Sequence, residues 1–356
     1  MRVAVPEALF HADTRTGRGR MWREVLARLD VLCDLQHSDP RHPTGRLARL
    51  SRKRTRPDAW LFDGHHGPLP VSEPQVIQLH EAPWNEPESM ATLEPEFLHN
   101  IVEPSRRAAA VASAIVCPSE SSRRQIIEDC HVDPAIVFAA YHGVNHQIFH
   151  PGVTGGAQVA ARHGADPGRP YILTVASIHP RKNLLALREA FYQLTDDFPH
   201  QLVIVGGPSY GRTDAEEQYA AVVSDNPEAP GRQTVVPFGI SDQDMAALMC
   251  EAAAFCLPSL SEGFGLPAAE AMACGAPTVL ADRAALKEVG QDAAVMVEPD
   301  AASIAQGLRS LLVDPLVAKK VGFACTTRAQ AFSWDSCART WFAALEAGVA
   351  AGARAT

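Results

Sequence analysis

Residues Ser259 to Pro277 read S-L-S-E-G-F-G-L-P-A-A-E-A-M-A-C-G-A-P. The apolar run 252–257 precedes them and predicts a buried strand. Pro267 and the alanines after it predict a helix that stops at Gly275. The order strand, glycine-rich turn, helix is typical of α/β folds, and the first-turn amides of such a helix favour an anion.

Two carboxylates flank the expected start of this helix. Glu262 lies in the turn, and Glu270 follows eight positions later in the expected first helical turn. An ionised carboxylate only accepts hydrogen bonds and can take two at once from a vicinal diol. Sugars and ribose offer such diols, and the amides near Gly265 and Leu266 would seat a phosphate. The stretch therefore indicates a nucleotide-sugar site.

Other interpretations of the same residues stay open. Glutamate is common in a first helical turn for dipole reasons alone, and G-F-G also fits a tight turn. Gly263, Gly265 and Ala268 satisfy the dinucleotide pattern G-x-G-x-x-A, with Asp282 placed for a ribose contact. Glu262 counts against a dinucleotide, because its carboxylate would repel a pyrophosphate. A nicotinamide-dependent oxidoreductase and an inactive nucleotide-sugar-binding module remain as alternatives.

The segment E-G-F-G-L-P-A-A-E at 262–270 resembles the E-x7-E signature of the family 4 retaining glycosyltransferases, and A-M-A-C-G-A-P-T-V at 271–279 is also similar to that family. The resemblance implies the GT-B fold, which has two doubly wound parallel-sheet, Rossmann-like domains facing a cleft. Alternating strand and helix signals in both halves of the chain favour the same α/β class.

The length of 356 residues favours two domains. We expect an N-terminal acceptor-side domain over 1–165 and a nucleotide-sugar-binding domain over 166–335. Residues 336–356 resemble the family's final helix, which crosses back to the first domain. The small and polar residues of 152–168 predict the linker between the domains.

Charge and composition bear on the partners and the location of the protein. The net charge of −9 argues against nucleic acid, because no excess of cations exists to neutralise phosphates. The basic run 49–56 predicts a solvated surface, with peripheral contact to an anionic membrane as the alternative. The eight cysteines form no C-x-x-C pair, no secretory segment opens the chain, and no apolar run could span a bilayer. These features predict a cytoplasmic protein with free thiols.

The first half of the chain offers further site residues. A loop over 11–20 contains T-G-R-G-R, followed by a helix over 21–29. A plain turn explains the loop equally well, but it also resembles the family loop that approaches the donor phosphates, which implies roles for Gly17 and Gly19. Gly143 resembles the family residue whose backbone contacts the ligand.

His80 and Glu81 follow an apolar strand. One interpretation is a purely structural pair. The other is that the pair resembles the family's H-D/H-E block, whose histidine contacts the donor sugar. The neighbouring residues 83–86 are predicted to form part of an acceptor loop. His65 and His66 lack a third ligand at zinc spacing, so a polar loop is favoured over a metal site.

In the second half, Arg181 and Lys182 lie between a predicted strand over 171–176 and a predicted helix over 184–194. Such pairs are usually solvated. This one resembles the family's basic pair, which neutralises the donor diphosphate. The resemblance also implies that backbone groups around Phe238 and Gly239 seat the nucleotide base, and it places Phe264 beside the donor.

The resemblance implies transfer of a hexosyl group from a nucleotide-diphosphate sugar to an acceptor hydroxyl, with retention at the anomeric carbon. Arg181 and Lys182 would stabilise the leaving diphosphate, so neither a metal nor another cofactor is required. Glu270 would hold the ribose, while Glu262 and His80 would orient the sugar. GDP-mannose is the favoured donor, with a UDP-hexose or UDP-N-acetylhexosamine next. The acceptor is a glycan, a lipid-linked glycan or a small molecule.

Overall fold

The computed structural model describes residues 1–13, 16–38, 56–80, 96, 98–208, 215–224 and 229–355. These residues divide into two compact units. The first unit holds the described residues up to Gly143 together with those from Trp334 onward, and the second holds the described residues from Val144 to Ser333.

Within the described residues, twelve strands and thirteen α-helices are numbered here in chain order. The strands are β1 Arg2–Pro6, β2 Asp34–Ser38, β3 Ala59–Asp63, β4 Gln75–Gln78, β5 Ala114–Cys117, β6 Val137–Ala139, β7 Tyr171–Val175, β8 Gln201–Val205, β9 Gln233–Val236, β10 Ala254–Leu257, β11 Thr278–Ala281 and β12 Val295–Val297. The helices are α1 Glu7–Phe10, α2 Gly17–Leu32, α3 Glu103–Val111, α4 Glu120–Cys130, α5 Gly156–Arg162, α6 Leu184–Tyr192, α7 Ala215–Val223, α8 Asp242–Glu251, α9 Leu266–Ala273, α10 Ala284–Gly290, α11 Ala301–Val313, α12 Pro315–Ala329 and α13 Trp334–Ala355.

Each unit is built on one six-stranded parallel sheet. The strand order is β2-β1-β3-β4-β5-β6 in the first unit and β12-β11-β10-β7-β8-β9 in the second. Central strands such as β3, β5, β7 and β10 are buried along their whole length. This burial explains why they read as continuous apolar runs in the sequence rather than as alternating ones. The predicted α/β class with two doubly wound parallel sheets is confirmed.

Strand order also locates the place where a ligand is expected. In an open parallel sheet, ligands bind outside the carboxyl ends of the strands where the strand order reverses. The order reverses between β1 and β3 in the first sheet and between β7 and β10 in the second. Ala254 pairs with Ile172 and Phe255 with Leu173, so the chain leaves β7 and β10 side by side.

The predicted linker contains a helix. Helix α5 packs on α8 so closely that a Cβ on Gly156 would lie 2.3 Å from the Ala247 carbonyl oxygen. Glu251 accepts the backbone N–H groups of Gly155 and Ala157, each at 2.7 Å. Residues 144–165 therefore belong to the second unit, and the division falls at Gly143 instead of the expected residue 165.

The first unit includes the C-terminal helix α13. The Trp341 ring packs against Trp22 of α2 with centroids 5.3 Å apart, and Asp335 accepts a 2.6 Å hydrogen bond from Arg28. No helix among the described residues is both long enough and apolar enough to cross a membrane. The basic run lies outside the described residues except for Arg56.

Candidate functional site

The chain segments that leave β7 and β10 are tied together by one asparagine. After β7, residues Pro180–Lys182 form a 3-10 turn, and Asn183 adopts a left-handed conformation with φ 56° before α6 begins. The Asn183 amide donates to the Pro299 carbonyl at 2.6 Å and to the Pro258 carbonyl at 3.2 Å. These bonds hold the basic turn against the loop that precedes α9.

Three of the predicted charged residues lie together in this place. Lys182 Nζ is 2.6 Å from Glu262 Oε1, and Arg181 Nη1 is 3.8 Å from Glu262 Oε2. Ser259 Oγ donates to Glu262 Oε1 at 2.8 Å, and the Arg181 guanidinium also donates to the Ser261 carbonyl. The structure therefore brings the basic pair and one predicted carboxylate into a single cluster at the switch point of the second sheet.

This cluster is largely shielded from water. The side chains of Glu262, Lys182 and Arg181 are only 11%, 13% and 18% exposed. Burial by itself raises the pKa of the Glu262 carboxyl, but the charges of Lys182 and Arg181 and hydrogen bonds from Lys182 and Ser259 outweigh it, so the pKa is lowered. Glu262 is therefore an ionised hydrogen-bond acceptor at neutral pH.

Helix α9 starts directly after a glycine with a positive φ. Gly265 has φ +91°, and a Cβ there would lie 2.6 Å from Leu286 Cδ2, so both the backbone and the packing require glycine. The N–H groups of Ala268 and Ala269 donate to the Gly265 carbonyl, and Pro267 has no N–H. Gly265 and Leu266 therefore provide the first amides that a ligand would meet at this helix end.

Glu270 sits deeper in α9 than predicted. The helix begins at Leu266 with Pro267 as its second residue, so Glu270 is its fifth residue and lies in the second turn. Its side chain is buried, with 5% exposure.

The other predicted donor-binding residues of the second unit differ in exposure. The Phe264 side chain is buried and its ring meets Phe332 edge to face with centroids 5.3 Å apart, so the ring is part of the packed interior of the second unit. Phe238 is 42% exposed and follows the edge strand β9. Gly239 has φ +104° and open space around the missing side chain.

In the first unit, His80 is held by His65, for which the sequence predicts only a place in a polar loop. The backbone N–H of His80 donates to His65 Nε2 at 3.1 Å, and His65 Nδ1 lies 2.9 Å from Ser105 Oγ. Because Nε2 accepts, the proton of neutral His65 sits on Nδ1 and is donated to Ser105. The Ser105 hydroxyl in turn donates to the Ile101 carbonyl at 2.6 Å. This chain of bonds fixes the segment that carries His80.

The imidazole of His80 is half-buried, with its Nε2 shielded from solvent. Burial lowers its pKa well below the ordinary value, and the neighbouring His65, Arg18 and His142 add to the effect. Burial also lowers the pKa of His142 to about 4. Within the part of the chain that the structure describes, His80 Nε2 is buried and makes no hydrogen bond. His80 is therefore a neutral imidazole.

The predicted T-G-R-G-R loop is partly helical, because α2 begins at Gly17 instead of residue 21. Thr16 caps the helix and accepts the Gly19 N–H at 3.0 Å, so that amide is already satisfied. Arg18 forms an ion pair with the buried Asp63 at the end of β3. The strand-end Asp63 was the signal that could have predicted this pair.

The remaining predicted site residues are Gly143, Glu81 with residues 83–86, and the histidine pair. Gly143 is the last residue of the first unit before the chain enters the second, where the Val144 N–H donates to the Phe332 carbonyl at 3.2 Å. Glu81 and residues 83–86 lie outside the described residues. The described part of the chain contains no group of three metal-ligating side chains, and His65 is already engaged by Ser105.

Comparison with known proteins finds a family model that matches part of this chain. Residues 169–314 match the family model described as glycosyl transferases group 1. The chain is 28% identical over 267 residues to the MMP alpha-(1->4)-mannosyltransferase of Mycolicibacterium hassiacum, which covers 71% of this chain and 58% of that protein. It is 26% identical to the alpha-maltose-1-phosphate synthase of Mycolicibacterium smegmatis, over 94% of this chain and 96% of that protein.

The fold is shared with solved structures over nearly the whole chain. The HepE protein of Anabaena in complex with UDP and glucose aligns with a TM-score of 0.67 at 16% identity, covering 97% of this chain and 99% of that one. Among the first curated relatives that match, the chain spans between 51% and 61% of their length. Residues 169–314, which contain the Arg181, Lys182 and Glu262 cluster, are therefore similar to the group 1 glycosyl transferases.

Proposed function

We propose that this chain transfers a hexosyl group from a nucleotide-diphosphate sugar to an acceptor hydroxyl, with retention at the anomeric carbon. The observation that carries the proposal is the shielded cluster at the switch point of the second sheet, where Lys182 and Arg181 face Glu262. A diphosphate-linked sugar has an anionic half and a hydroxyl-rich half, and the cluster offers donors to the first and an acceptor to the second.

Binding of the donor would divide this cluster between the two halves of the ligand. The diphosphate takes the ammonium of Lys182 and the guanidinium of Arg181, and the Gly265 and Leu266 amides add further donors. Glu262, which accepts from Lys182 in the free protein, accepts sugar hydroxyls instead. The buried carboxylate of Glu270 holds the ribose diol, and the neutral imidazole of His80 orients the sugar.

The chemical step then depends on charge. Breaking the glycosidic C–O bond places negative charge on the diphosphate and positive charge on the sugar. The basic pair stabilises the first, at a few kcal/mol per well-placed donor, and the ionised Glu262 offsets the second. The acceptor attacks from the face that the diphosphate leaves, which retains the anomeric configuration. Because the basic pair performs the neutralisation, no divalent metal is required.

The favoured donor is GDP-mannose. Its support is the block H-P-R-K-N at 179–183 and the mannosyltransferase among the relatives. A UDP-hexose is the second candidate, because the HepE structure of the same fold holds UDP and glucose and another relative is named for maltose-1-phosphate synthesis. The acceptor class remains a glycan, a lipid-linked glycan or a small molecule.

A thermal-shift panel with GDP, UDP, dTDP, ADP and NAD tests the proposal. A ligand present at one hundred times its dissociation constant stabilises by about 2.7 kcal/mol. We expect a rise in melting temperature of roughly 5–10 °C with one nucleoside diphosphate. The rise should be lost in Glu270→Ala and kept in Glu288→Ala, a control at a half-exposed position of the same unit. A response to NAD alone would contradict the proposal.

A further inference from the structure

Two cysteines meet where helices α8 and α9 end. Cys250 lies in the last turn of α8, and Cys274 directly follows α9. The Cys250 sulfur lies 3.6 Å from the Cys274 carbonyl oxygen, and the two thiols are hydrogen-bonded to each other. The pair is 24 residues apart in sequence, so helix packing and not chain proximity brings the two cysteines together.

The loop 150–153 forms the remaining wall of this thiol pair. The Cys250 thiol donates to the His150 carbonyl at 3.2 Å, and the N–H groups of Gly152 and Val153 point to the same sulfur. The His150 N–H donates to the Cys274 sulfur. Cys250 is half-buried, whereas Cys274 is buried. Solvent and small oxidants therefore reach Cys250 first.

The two thiols are chemically unequal. The hydrogen bond from Cys274, supported by the two loop amides and His150, outweighs burial and lowers the pKa of Cys250 to about 7. The same hydrogen bond, together with burial, raises the pKa of Cys274. A thiolate is the nucleophilic form of cysteine. Cys250 is thus the attacking sulfur, and Cys274 holds its proton until a bond forms.

We propose that Cys250 and Cys274 are an oxidative modification site, at which a peroxide converts the two thiols into a disulfide. The Cys250 thiolate attacks the O–O bond of hydrogen peroxide, which forms a sulfenic acid and releases hydroxide that leaves as water. The Cys274 sulfur then attacks the sulfenic sulfur, the S–O bond breaks, and a second water leaves with the Cys274 proton. Two thiols and one peroxide give one disulfide and two waters.

The disulfide would join the last turn of α8 to the residue that ends α9, the helix that begins at the candidate donor site. The inference does not depend on the proposed transferase activity, because the thiol chemistry can be followed without substrate. Cys33 provides the matched control. It is also half-buried, but burial raises its pKa to about 11, and it lies in the first unit.

Peptide mapping of the purified chain after treatment with hydrogen peroxide tests the proposal. Cleavage after Glu251, Glu262 and Glu270 places Cys250, Cys256 and Cys274 on three different peptides. We expect the Cys250 and Cys274 peptides to become crosslinked with the loss of two hydrogens, and dithiothreitol to release them. Cys33 should react at least about tenfold more slowly than Cys250.

Two variants separate the steps. In Cys274→Ser, the sulfenic acid of Cys250 should persist and be trapped by dimedone, and in Cys250→Ser neither product should form. A crosslink that survives in Cys33→Ser supports the assignment. The proposal is overturned if both thiols of the wild-type chain stay unmodified, if Cys250 reacts no faster than Cys33, or if the recovered crosslink joins Cys250 to another cysteine.

Discussion

Replacement of Gly265 by alanine tests whether the start of α9 requires glycine. At φ +91° a residue with a Cβ destabilises the folded state by about 1–2 kcal/mol relative to glycine. The new Cβ would also lie 2.6 Å from Leu286 Cδ2, and Leu286 is fully buried, so its side chain cannot move into solvent. Overpacking of this kind costs about 1–3 kcal/mol. The free energy of unfolding of Gly265→Ala should therefore fall by about 2–5 kcal/mol.

Gly164→Ala is the matched control, because Gly164 has φ +97° but no heavy atom within 4 Å of the added Cβ. It should lose only the backbone cost of about 1–2 kcal/mol. The described tryptophans, at 22, 60, 334 and 341, all fall in the first unit. Urea unfolding should therefore be followed by hydrogen exchange of peptides from the second unit. Equal losses in the two variants would refute the packing argument at Leu286.

Three further predictions concern the charged cluster and its support. Because the folded-state pKa of Glu262 is lowered, its ionised form stabilises the fold above the ordinary value of 4.5, and this stabilisation is lost as the pH falls through the lowered pKa. Urea unfolding at several pH values measures the difference in free energy of unfolding between the wild-type chain and Glu262→Gln. This difference should be constant between pH 7 and about pH 5 and should shrink below about pH 4. A difference that grows on acidification would contradict the prediction. EDTA should leave transferase activity unchanged, since the basic pair neutralises the diphosphate, and a loss restored by Mg²⁺ would disprove that role. Asn183→Gly keeps the left-handed backbone but loses the bonds to Pro258 and Pro299, so denaturant unfolding should show a cost of about 1–3 kcal/mol, whereas no cost would make the asparagine dispensable.

The parallel sheets could be predicted because their central strands are buried on both faces. The runs at β7 and β10 carry almost only apolar residues, and the structure places strands there within about two residues of the predicted ends. The edge strand β2, with the sequence D-L-Q-H-S, was not predicted, because its residues are at most half-buried and carry no apolar pattern.

The missed features depend on residues far away in the sequence. The sequence of helix α5 predicts a linker because it contains no capping residue of its own. The amides at the start of the helix are satisfied by Glu251, which lies 94 residues after Ala157. The role of His65 follows from two bonds, to the backbone of His80 and to the Ser105 hydroxyl, that join separate segments of the first unit. Spacing along the chain carries no information about such bonds.

The Arg181, Lys182 and Glu262 cluster could be predicted as a set of residues but not as an arrangement. The motifs separately identified a basic pair after one strand and a carboxylate after another. Only the strand order, which places β10 beside β7, makes them neighbours. The 2.6 Å contact of Lys182 with Glu262 shows in addition that the free protein satisfies both groups internally.

Binding of a donor diphosphate by this cluster is the step on which the proposed function depends. Calorimetric titration with the best nucleoside diphosphate and with its parent nucleoside measures the contribution of the phosphates directly. A charge-assisted hydrogen bond contributes about 1.5–3 kcal/mol, so Lys182→Met should weaken diphosphate binding by about 10–100-fold and leave nucleoside binding unchanged. Lys287→Met, which removes an exposed lysine paired with Asp282, should change neither affinity. Undiminished diphosphate affinity in Lys182→Met would contradict the account.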